Sequence, residues 1–322
     1  MIRNCKYEII DVSSYKNKIN KIKKKIDKIT NINPPLLIID VKINNKNIHV
    51  IQDGCLMVGT KQRVAELYAK IAIEEEEKKT GVKVTTITYV GSWNGFGAIA
   101  TAFAAYRLGL KSNVYLSLTA SGQSKNSSIE YIMSLRQVNI LMALNANIFL
   151  CKSYRDAKTL SYEGPEGHDR NKDQLAIPMG LNDEKCVMIH LLAKQIRLAV
   201  IGTKLEQSKH PRIFMVAGSA GILMALNKAI PHSQIFVYLT GGGKYLKRAV
   251  KYIKKQKNVF ILNMKIEQNK KMKDFFKSGE KNYSEIKYYN TVERYDDMVL
   301  AYVEEMGRDG DFIWNVASEK FK

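Results

Sequence analysis

The sequence predicts an α/β protein built on parallel sheets with helices on both faces. Short apolar runs alternate with amphipathic segments through the middle of the chain. Repeated strand-helix-strand units of this kind form parallel sheets. Two glycine-rich turns, at 91–97 and 218–221, directly follow apolar strands. Because ligands of parallel sheets bind at the carboxyl ends of the strands, these turns mark the expected site.

The order of the elements follows from hydrophobic periodicity and from the residues that interrupt it. A first helix is predicted at 16–29, because Ile19, Ile22 and Ile26 recur at helical spacing opposite a run of lysines. Further helices are predicted at 61–79, 97–108, 127–145, 183–201, 220–230 and 244–255. Strands are predicted at 47–52, 84–90, 113–118, 147–151, 212–217, 234–239 and 258–262, and a loop rich in glycine and proline at 164–180.

Composition limits the class of protein. The 322 residues are 45% hydrophobic and 25% charged, which is typical of a globular chain that buries a large core. The four cysteines form no CxxC pair and the five histidines show no metal-ligand spacing, so neither a disulfide framework nor a metal site is expected. The sequence shows no signal peptide and no membrane-spanning run, so we expect a cytoplasmic protein without membrane contact.

The net charge of +20 leaves two interpretations open. The lysines concentrate at 16–28 and 244–287, and such runs can bind nucleic acid or another acidic partner. The same segments are rich in Ile and Asn, and aromatic residues do not interleave with them as stacking on bases requires. A solvated basic surface is therefore the main interpretation, and nucleic-acid binding is the secondary one.

Three polar motifs occur in a defined order along the chain. Gly-Thr-Lys-Gln-Arg at 59–63 presents an amine from a tight turn, and Ser-Trp-Asn-Gly at 92–95 follows a predicted strand. Gly-Ser-Ala-Gly-Ile at 218–222 follows another strand and opens a helix, where main-chain N–H groups bind phosphate. An amine, an asparagine turn and a phosphate turn are the parts that a pyridoxal phosphate site needs.

These motifs, together with Ile-Pro-Met-Gly at 177–180, resemble the tryptophan synthase β-like (fold type II) superfamily of pyridoxal-phosphate enzymes. The nearest local resemblance is to the aminocyclopropane-carboxylate deaminase and D-cysteine desulfhydrase group, and it covers about 48–317. It implies two three-layer αβα domains with twisted parallel sheets and pyridoxal 5'-phosphate in the cleft between them. The expected domains are a large cofactor-binding domain (1–85 plus 178–322) and a small mobile one (86–177), in a homodimer.

The resemblance implies a role for each residue of the first two motifs. Lys61 would be the Schiff-base lysine, and the positive field of Arg63 would favour its neutral amine. Asn94 would hydrogen-bond the phenolic oxygen of the cofactor. The substrate carboxylate would bind the turn formed by Ser92, Trp93, Asn94 and Gly95, with Ser92 also a candidate catalytic residue. Taken alone, the spacing favours an exposed surface lysine at a helix start, because lysine is nearly always exposed.

The remaining roles lie in the second half of the chain. The cofactor phosphate would bind the main chain of Gly218, Ser219, Ala220 and Gly221. Tyr295 would approach the substrate as a catalytic residue, and the carboxylate of Asp296 would face the ring nitrogen of the cofactor. These two residues are more typical of the ordinary first turn of a helix that continues through Val303.

Four departures from the family pattern bear on function. Thr60 stands where the group has asparagine, Trp93 where the superfamily has a small residue, Ala220 where it has glycine and Ile222 where it has threonine. The resemblance predicts a lyase or deaminase that abstracts a proton at Cα or Cβ of a small amino acid, with elimination, deamination or β-replacement. A catalytically impaired binding or regulatory protein of the same fold, and a basic nucleic-acid-binding α/β protein, are the alternatives.

Overall fold

The computed structural model describes residues 8–9, 15–93, 95–118, 136–163, 173–178, 186–218, 220–240, 243–262 and 296–316. Their strands are β1 (Glu8–Ile9), β2 (Ile38–Ile43), β3 (Lys46–Ile51), β4 (Thr86–Ser92), β5 (Lys111–Ser117), β6 (Asn147–Cys151), β7 (Gln174–Ile177), β8 (Arg212–Ala217), β9 (Gln234–Leu239), β10 (Val259–Ile261) and β11 (Phe312–Trp314). Their helices are α1 (Lys16–Asp27), α2 (Ala65–Thr80), α3 (Phe96–Arg107), α4 (Arg136–Ala143), α5 (Tyr154–Glu163), α6 (Val187–Val200), α7 (Lys204–Gln207), α8 (Gly221–Ala229), α9 (Gly243–Ile253) and α10 (Leu300–Met306).

The chain divides into two compact units, and each contains one sheet. Residues 1–32 and 61–191 form the first unit, and residues 33–60 and 192–322 form the second. The first sheet has the order β1-β6-β5-β4-β7, and the second has the order β10-β9-β8-β11-β3-β2. All pairs are parallel except β1 with β6 and β2 with β3. The predicted α/β class with parallel sheets is confirmed.

The first sheet is covered closely because α3 is rich in alanine. The nine residues from Gly97 to Ala105 are all buried, and α3 packs against β4 and β5. Small side chains allow this close approach of helix and sheet. The register aligns Ser92, Ser117 and Cys151 at the ends of β4, β5 and β6. These three residues therefore mark the carboxyl edge of the first sheet.

The second sheet begins with a hairpin and continues as parallel strands. Asn44 and Asn45 join β2 to β3 with φ values of 47° and 63°, a conformation that asparagine tolerates and that suits a two-residue hairpin. One face of the sheet, including Val50, Phe214 and Ile313, packs against Val303 and its neighbours in α10. Burial of this face forms one core of the second unit.

Helix α1 confirms the predicted amphipathic segment. Ile22 and Ile26 are buried, whereas the lysines at 16, 18, 21, 24 and 25 are exposed. Across the described ranges, no helix is long and apolar enough to cross a membrane. In that same part of the chain, no group of three or more His, Cys, Asp or Glu residues could hold a metal ion.

Two predicted elements were wrong in detail. The helix predicted from residue 61 begins at Ala65, because Gly59–Arg63 forms a 3-10 turn that Gly59 enters with a φ of 63°. The predicted loop 164–180 contains strand β7, whose residues Leu175 and Ile177 are buried. Four residues are too few for a clear period of two. The starts of the helices predicted at 127–145 and 183–201 lie outside the described residues.

The boundaries of the two units differ from the predicted domains. Residues 61–85 belong with 86–177, because α2 packs against α3 and β7. Residues 33–60 remain with 192–322, because β3 pairs with β11. The chain therefore changes unit directly before Lys61, which the strand-helix pattern does not indicate. The cofactor-binding role of one domain and the mobility of the other remain predictions.

Candidate active site

Three loops of the second unit leave the same edge of its sheet. The register places Ile51 and Met215 on either side of Trp314, at the carboxyl ends of β3, β8 and β11. The N–H of Asn315 donates to the carbonyl of Ile51 at 3.0 Å, and the N–H of Gly54 donates to the carbonyl of Asn315 at 2.8 Å. The segment that leads to Lys61 and the glycine turn after β8 therefore both begin at this edge.

Thr60 ties the end of that segment to the chain after β11. Its N–H donates to the carbonyl of Val316 at 3.1 Å, and its hydroxyl donates weakly to the same oxygen at 3.5 Å. The indole N–H of Trp314 donates to the Thr60 hydroxyl oxygen at 3.1 Å. Both side chains are buried, so these hydrogen bonds form away from water and contribute to holding the turn.

Lys61 lies in the 3-10 turn Gly59–Arg63, which the N–H of Val64 closes by donating to the carbonyl of Lys61 at 3.1 Å. Its side chain keeps partial contact with solvent. Burial nevertheless lowers the pKa of its amine from 10.5 to about 8, because desolvation disfavours the charged form. The sequence-based interpretation attributed a favoured neutral amine to Arg63, whereas burial is the cause here. An exposed surface lysine is excluded.

The asparagine turn follows β4 in the first unit. The N–H of Gly95 donates to the carbonyl of Ser92 at 3.0 Å, which closes a tight turn. The N–H of Trp93 donates to the carbonyl of Ser117 at 3.4 Å, and its indole is buried. Asn94 lies outside the described residues. The predicted strand-turn-helix context of this motif is therefore present, while the contacts proposed for Asn94 remain a prediction.

The side chain of Tyr89 occupies the space that a Cβ would need at two of the glycines around this turn. A Cβ on Gly91 would come within 2.5 Å of Cε1 of the Tyr89 ring, and a Cβ on Gly97 would collide with the Tyr89 hydroxyl oxygen. Tyr89 is buried in β4. Both glycines therefore give the ring space between the strand and the start of α3. The sequence pattern predicted that these glycines form a ligand-binding turn. It did not indicate that they make space for a buried ring.

An alanine in the left-handed conformation leads from the chain after β8 into helix α8. Gly218 follows β8, and Ala220 precedes α8 with φ 62° and ψ −2°, in the left-handed region. The N–H of Met224 donates to the carbonyl of Ala220 at 2.9 Å. Ser219 lies outside the described residues. Alanine here retains the backbone conformation that glycine adopts without steric cost.

We expect Ala220→Gly to stabilise the protein. Glycine removes about 1–2 kcal/mol of left-handed steric cost and adds about 0.5–1 kcal/mol of chain entropy to the unfolded state, so the free energy of unfolding should rise by about 1 kcal/mol. Urea unfolding measures this change. Ala225→Gly is the matched control, since Ala225 lies inside α8 and its replacement should lower stability. A destabilised Ala220→Gly variant would contradict the assigned backbone conformation.

Of the two C-terminal candidate residues, the structure describes Asp296. Asp296 begins the 3-10 turn Asp296–Val299, which packs against β8 and β9 of the second sheet. Tyr295 lies outside the described residues. The structure thus places the main chain of Asp296 in the unit that carries Gly218, Ala220 and Gly221, and places Lys61, Ser92, Trp93 and Gly95 in the other unit.

Two buried polar residues near Lys61 in sequence were missed. Gln52 is 6% exposed and Gln62 is 3% exposed. Within the described part of the chain, the amide nitrogen of Gln52 and the amide oxygen of Gln62 have no hydrogen-bond partner. Unsatisfied buried polar atoms are costly, and a bound polar ligand would satisfy them. A polar residue at the end of an apolar strand, such as Gln52 after β3, was the available signal.

Solved structures share this architecture. A crystal structure of an ACC deaminase homologue matches with a TM-score of 0.59 and 13% identity, over 93% of this chain and 94% of that one. A hydrogen sulfide-producing enzyme from Fusobacterium nucleatum matches with a TM-score of 0.54 and 13% identity, over 92% and 97%. Diaminopropionate ammonia lyase from Escherichia coli, in apo form, matches with a TM-score of 0.52 and 12% identity, over 99% and 95%.

This chain has the fold type II architecture. The match extends over nearly the whole length of this chain and of each of these structures, so it includes both units of this chain. No family model and no curated protein matches the sequence. The fold predicted from the three motifs is confirmed.

Proposed function

We propose that this fold type II protein is a pyridoxal-phosphate-dependent lyase or deaminase. Its substrate is a small amino acid, from which a proton is removed at Cα or Cβ before elimination, deamination or β-replacement. The observation that carries the proposal is the burial of the Lys61 amine. Burial lowers its pKa to about 8, and the preceding residue, Thr60, is hydrogen-bonded to Trp314 and Val316 at the carboxyl edge of a parallel sheet.

The residues present fit pyridoxal phosphate. Lys61 supplies the amine for its aldehyde, and the main chain of the turn at 218–221 supplies phosphate donors at the start of α8. The amide nitrogen of Gln52 and the amide oxygen of Gln62, which have no partner among the described residues, belong to residues on either side of Lys61 in sequence and fit a polar ligand. Contacts of Asn94 with the phenolic oxygen and of Asp296 with the ring nitrogen complete the proposed set. When bound, this cofactor stores the electron pair that deprotonation leaves on the substrate.

Lys61 acts at two atoms in the proposed reaction. With the cofactor bound, the neutral amine of Lys61 would hold its aldehyde, and the Lys61 nitrogen would accept the proton from substrate Cα. At pH 7 a pKa of about 8 leaves about 300 times more neutral amine than the ordinary value of 10.5. A buried amine is therefore prepared for both tasks near neutral pH.

The substrate contacts follow from the turn after β4. We assign the substrate carboxylate to the main-chain N–H groups of this turn, with Ser92 as the hydroxyl that approaches the reacting carbon. Trp93 and Gly95 shape the same turn, and Tyr295 approaches the substrate from the C-terminal segment. We also propose that two copies of this chain form a homodimer.

An absorbance spectrum tests this function. Purified protein mixed with pyridoxal phosphate should develop a visible band that the free cofactor does not show at the same pH. A panel of small amino acids of both configurations should then change the band and release ammonia, sulfide or a keto acid. A protein that remains colourless and binds no cofactor rejects the proposal.

The second candidate is a binding or regulatory protein of the same fold. Two observations favour it: Ala220 keeps the phosphate turn at a steric cost, and Ile222 lacks the hydroxyl that a threonine would offer to phosphate. The same spectrum separates the two functions. Cofactor binding with no turnover of any amino acid in the panel supports this second candidate.

A further inference from the structure

Thr60 is the residue directly before Lys61, and it is held by three hydrogen bonds from two partners. Its exposure is 1%, and that of Trp314 is 0%. The main-chain N–H and the hydroxyl both reach the carbonyl of Val316, while the hydroxyl oxygen accepts from the Trp314 indole. A threonine hydroxyl can donate and accept at once, and both capacities are used here.

One partner of Thr60, Trp314, lies in a central strand of a sheet, and the other, Val316, follows two residues later. Trp314 ends β11, which is flanked by the parallel strands β3 and β8. A central strand with two neighbours is among the most stable parts of a protein. Thr60 is thus attached to a rigid part of the sheet. This attachment limits where the main chain of the next residue, Lys61, can lie.

The chain on the other side of Thr60 is also constrained. Gly59 adopts a φ of 63°, and its N–H donates to the carbonyl of Leu56 at 3.1 Å. Beyond Thr60, the N–H of Val64 closes the turn on the carbonyl of Lys61. The 3-10 turn is therefore defined on both sides of Thr60, and its direction depends on how Thr60 is held.

We propose that Thr60 is a positioning residue for Lys61, whose amine stays buried because the Thr60 hydroxyl holds the turn on Trp314 and Val316. This inference rests on the proposed function for the chemical use of the amine. The position of the amine can nevertheless be measured without any cofactor. The lowered pKa of Lys61 is the measurable consequence of its burial.

The test compares Thr60→Val with Thr60→Ser in cofactor-free protein. Acetylation of Lys61 with acetic anhydride, quantified in its peptide by mass spectrometry across pH, reports the midpoint at which the amine becomes neutral. The wild-type midpoint should lie near pH 8. Valine matches the shape of threonine without its hydroxyl, so the midpoint should rise toward 10.5. Serine keeps the hydroxyl and should preserve the wild-type midpoint.

The size of the change in the Lys61 midpoint depends on how much burial the amine loses in Thr60→Val. A midpoint one pH unit higher reduces the neutral amine at pH 8 by about fivefold. The midpoint is the decisive quantity, because a labelling rate that increases by the same factor at every pH leaves the midpoint unchanged. Thr60→Val should therefore change both rate and midpoint.

Ser233→Ala is the matched control. The Ser233 hydroxyl is fully buried and donates to the carbonyl of Ile230 at 2.7 Å, at the amino end of β9 in the same unit. Its loss should lower the free energy of unfolding and leave the Lys61 midpoint at the wild-type value. A shift in Ser233→Ala equal to that in Thr60→Val would overturn the proposal, because general loosening would then explain both.

A folded Thr60→Val protein with a wild-type midpoint also overturns the proposal, as does a wild-type midpoint near 10.5. If Thr60→Val does not fold, Trp314→Phe removes the indole donor while keeping an aromatic ring in the core. The same upward shift then supports the proposal, and an unchanged midpoint overturns it. A wild-type midpoint near pH 8 in a protein that binds no pyridoxal phosphate rejects the proposed function alone.

Discussion

Lys61→Ala should lower turnover by at least about 10³-fold for any amino acid that the wild-type protein converts. The substitution removes the nitrogen that we propose attaches to the cofactor aldehyde and accepts the substrate proton. Borohydride reduction followed by mass spectrometry should find the cofactor attached to Lys61 in the wild-type protein and absent from the variant. Loss of both attachment and turnover is the expected result.

Lys70→Ala provides the matched control for this effect. Lys70 is an exposed lysine in the same unit, on α2, and pairs with Glu66 at 2.8 Å. Exposed pairs of this kind contribute little to stability, so turnover and cofactor attachment should remain at wild-type levels. Lys61→Arg tests the chemistry further, because a guanidinium keeps the charge but stays protonated. Full turnover in Lys61→Ala or Lys61→Arg would exclude Lys61 from the reaction.

Gly97→Ala should lower the free energy of unfolding by about 3 kcal/mol. The new Cβ would collide with the hydroxyl oxygen of buried Tyr89 and with its ring, in a region where α3 packs closely on the sheet. The strand or helix must then shift, since packed interiors yield little. Urea unfolding of the variant and the wild-type protein measures the change.

Tyr89→Phe distinguishes this collision from a general effect of the substitution. The hydroxyl oxygen is the nearest atom to the Cβ at 97, so Gly97→Ala should cost less in the Tyr89→Phe background. Gly91→Ala meets the ring carbon Cε1 first and should gain no such relief. Gly109→Ala, where φ is 69° in open space, should cost only about 1 kcal/mol of backbone strain. Equal costs of Gly97→Ala in both backgrounds would contradict the contact.

The strands that the sequence predicted well are those with long apolar runs. Residues 212–217 and 234–239 were predicted as strands and appear as β8 and β9 with those bounds. Strand β11 has three residues, and β7 lies in a segment rich in turn residues, so local pattern could not identify them. The position of Lys61 after a tight turn was recognised, while its 3-10 conformation depends on Thr60 and on partners far along the chain.

Most of the strands and helices and both glycine turns were predicted in their observed order from the sequence alone, because side-chain periodicity and turn residues act between near neighbours. That order was enough to predict the fold class and to select Lys61 as the candidate Schiff-base lysine. Tertiary structure decided the state of the site. Trp314 lies 254 residues from Thr60, and the burial that lowers the pKa of Lys61 exists only in the folded chain. Desolvation and buried hydrogen bonds depend on distances in space, which spacing along the sequence does not contain.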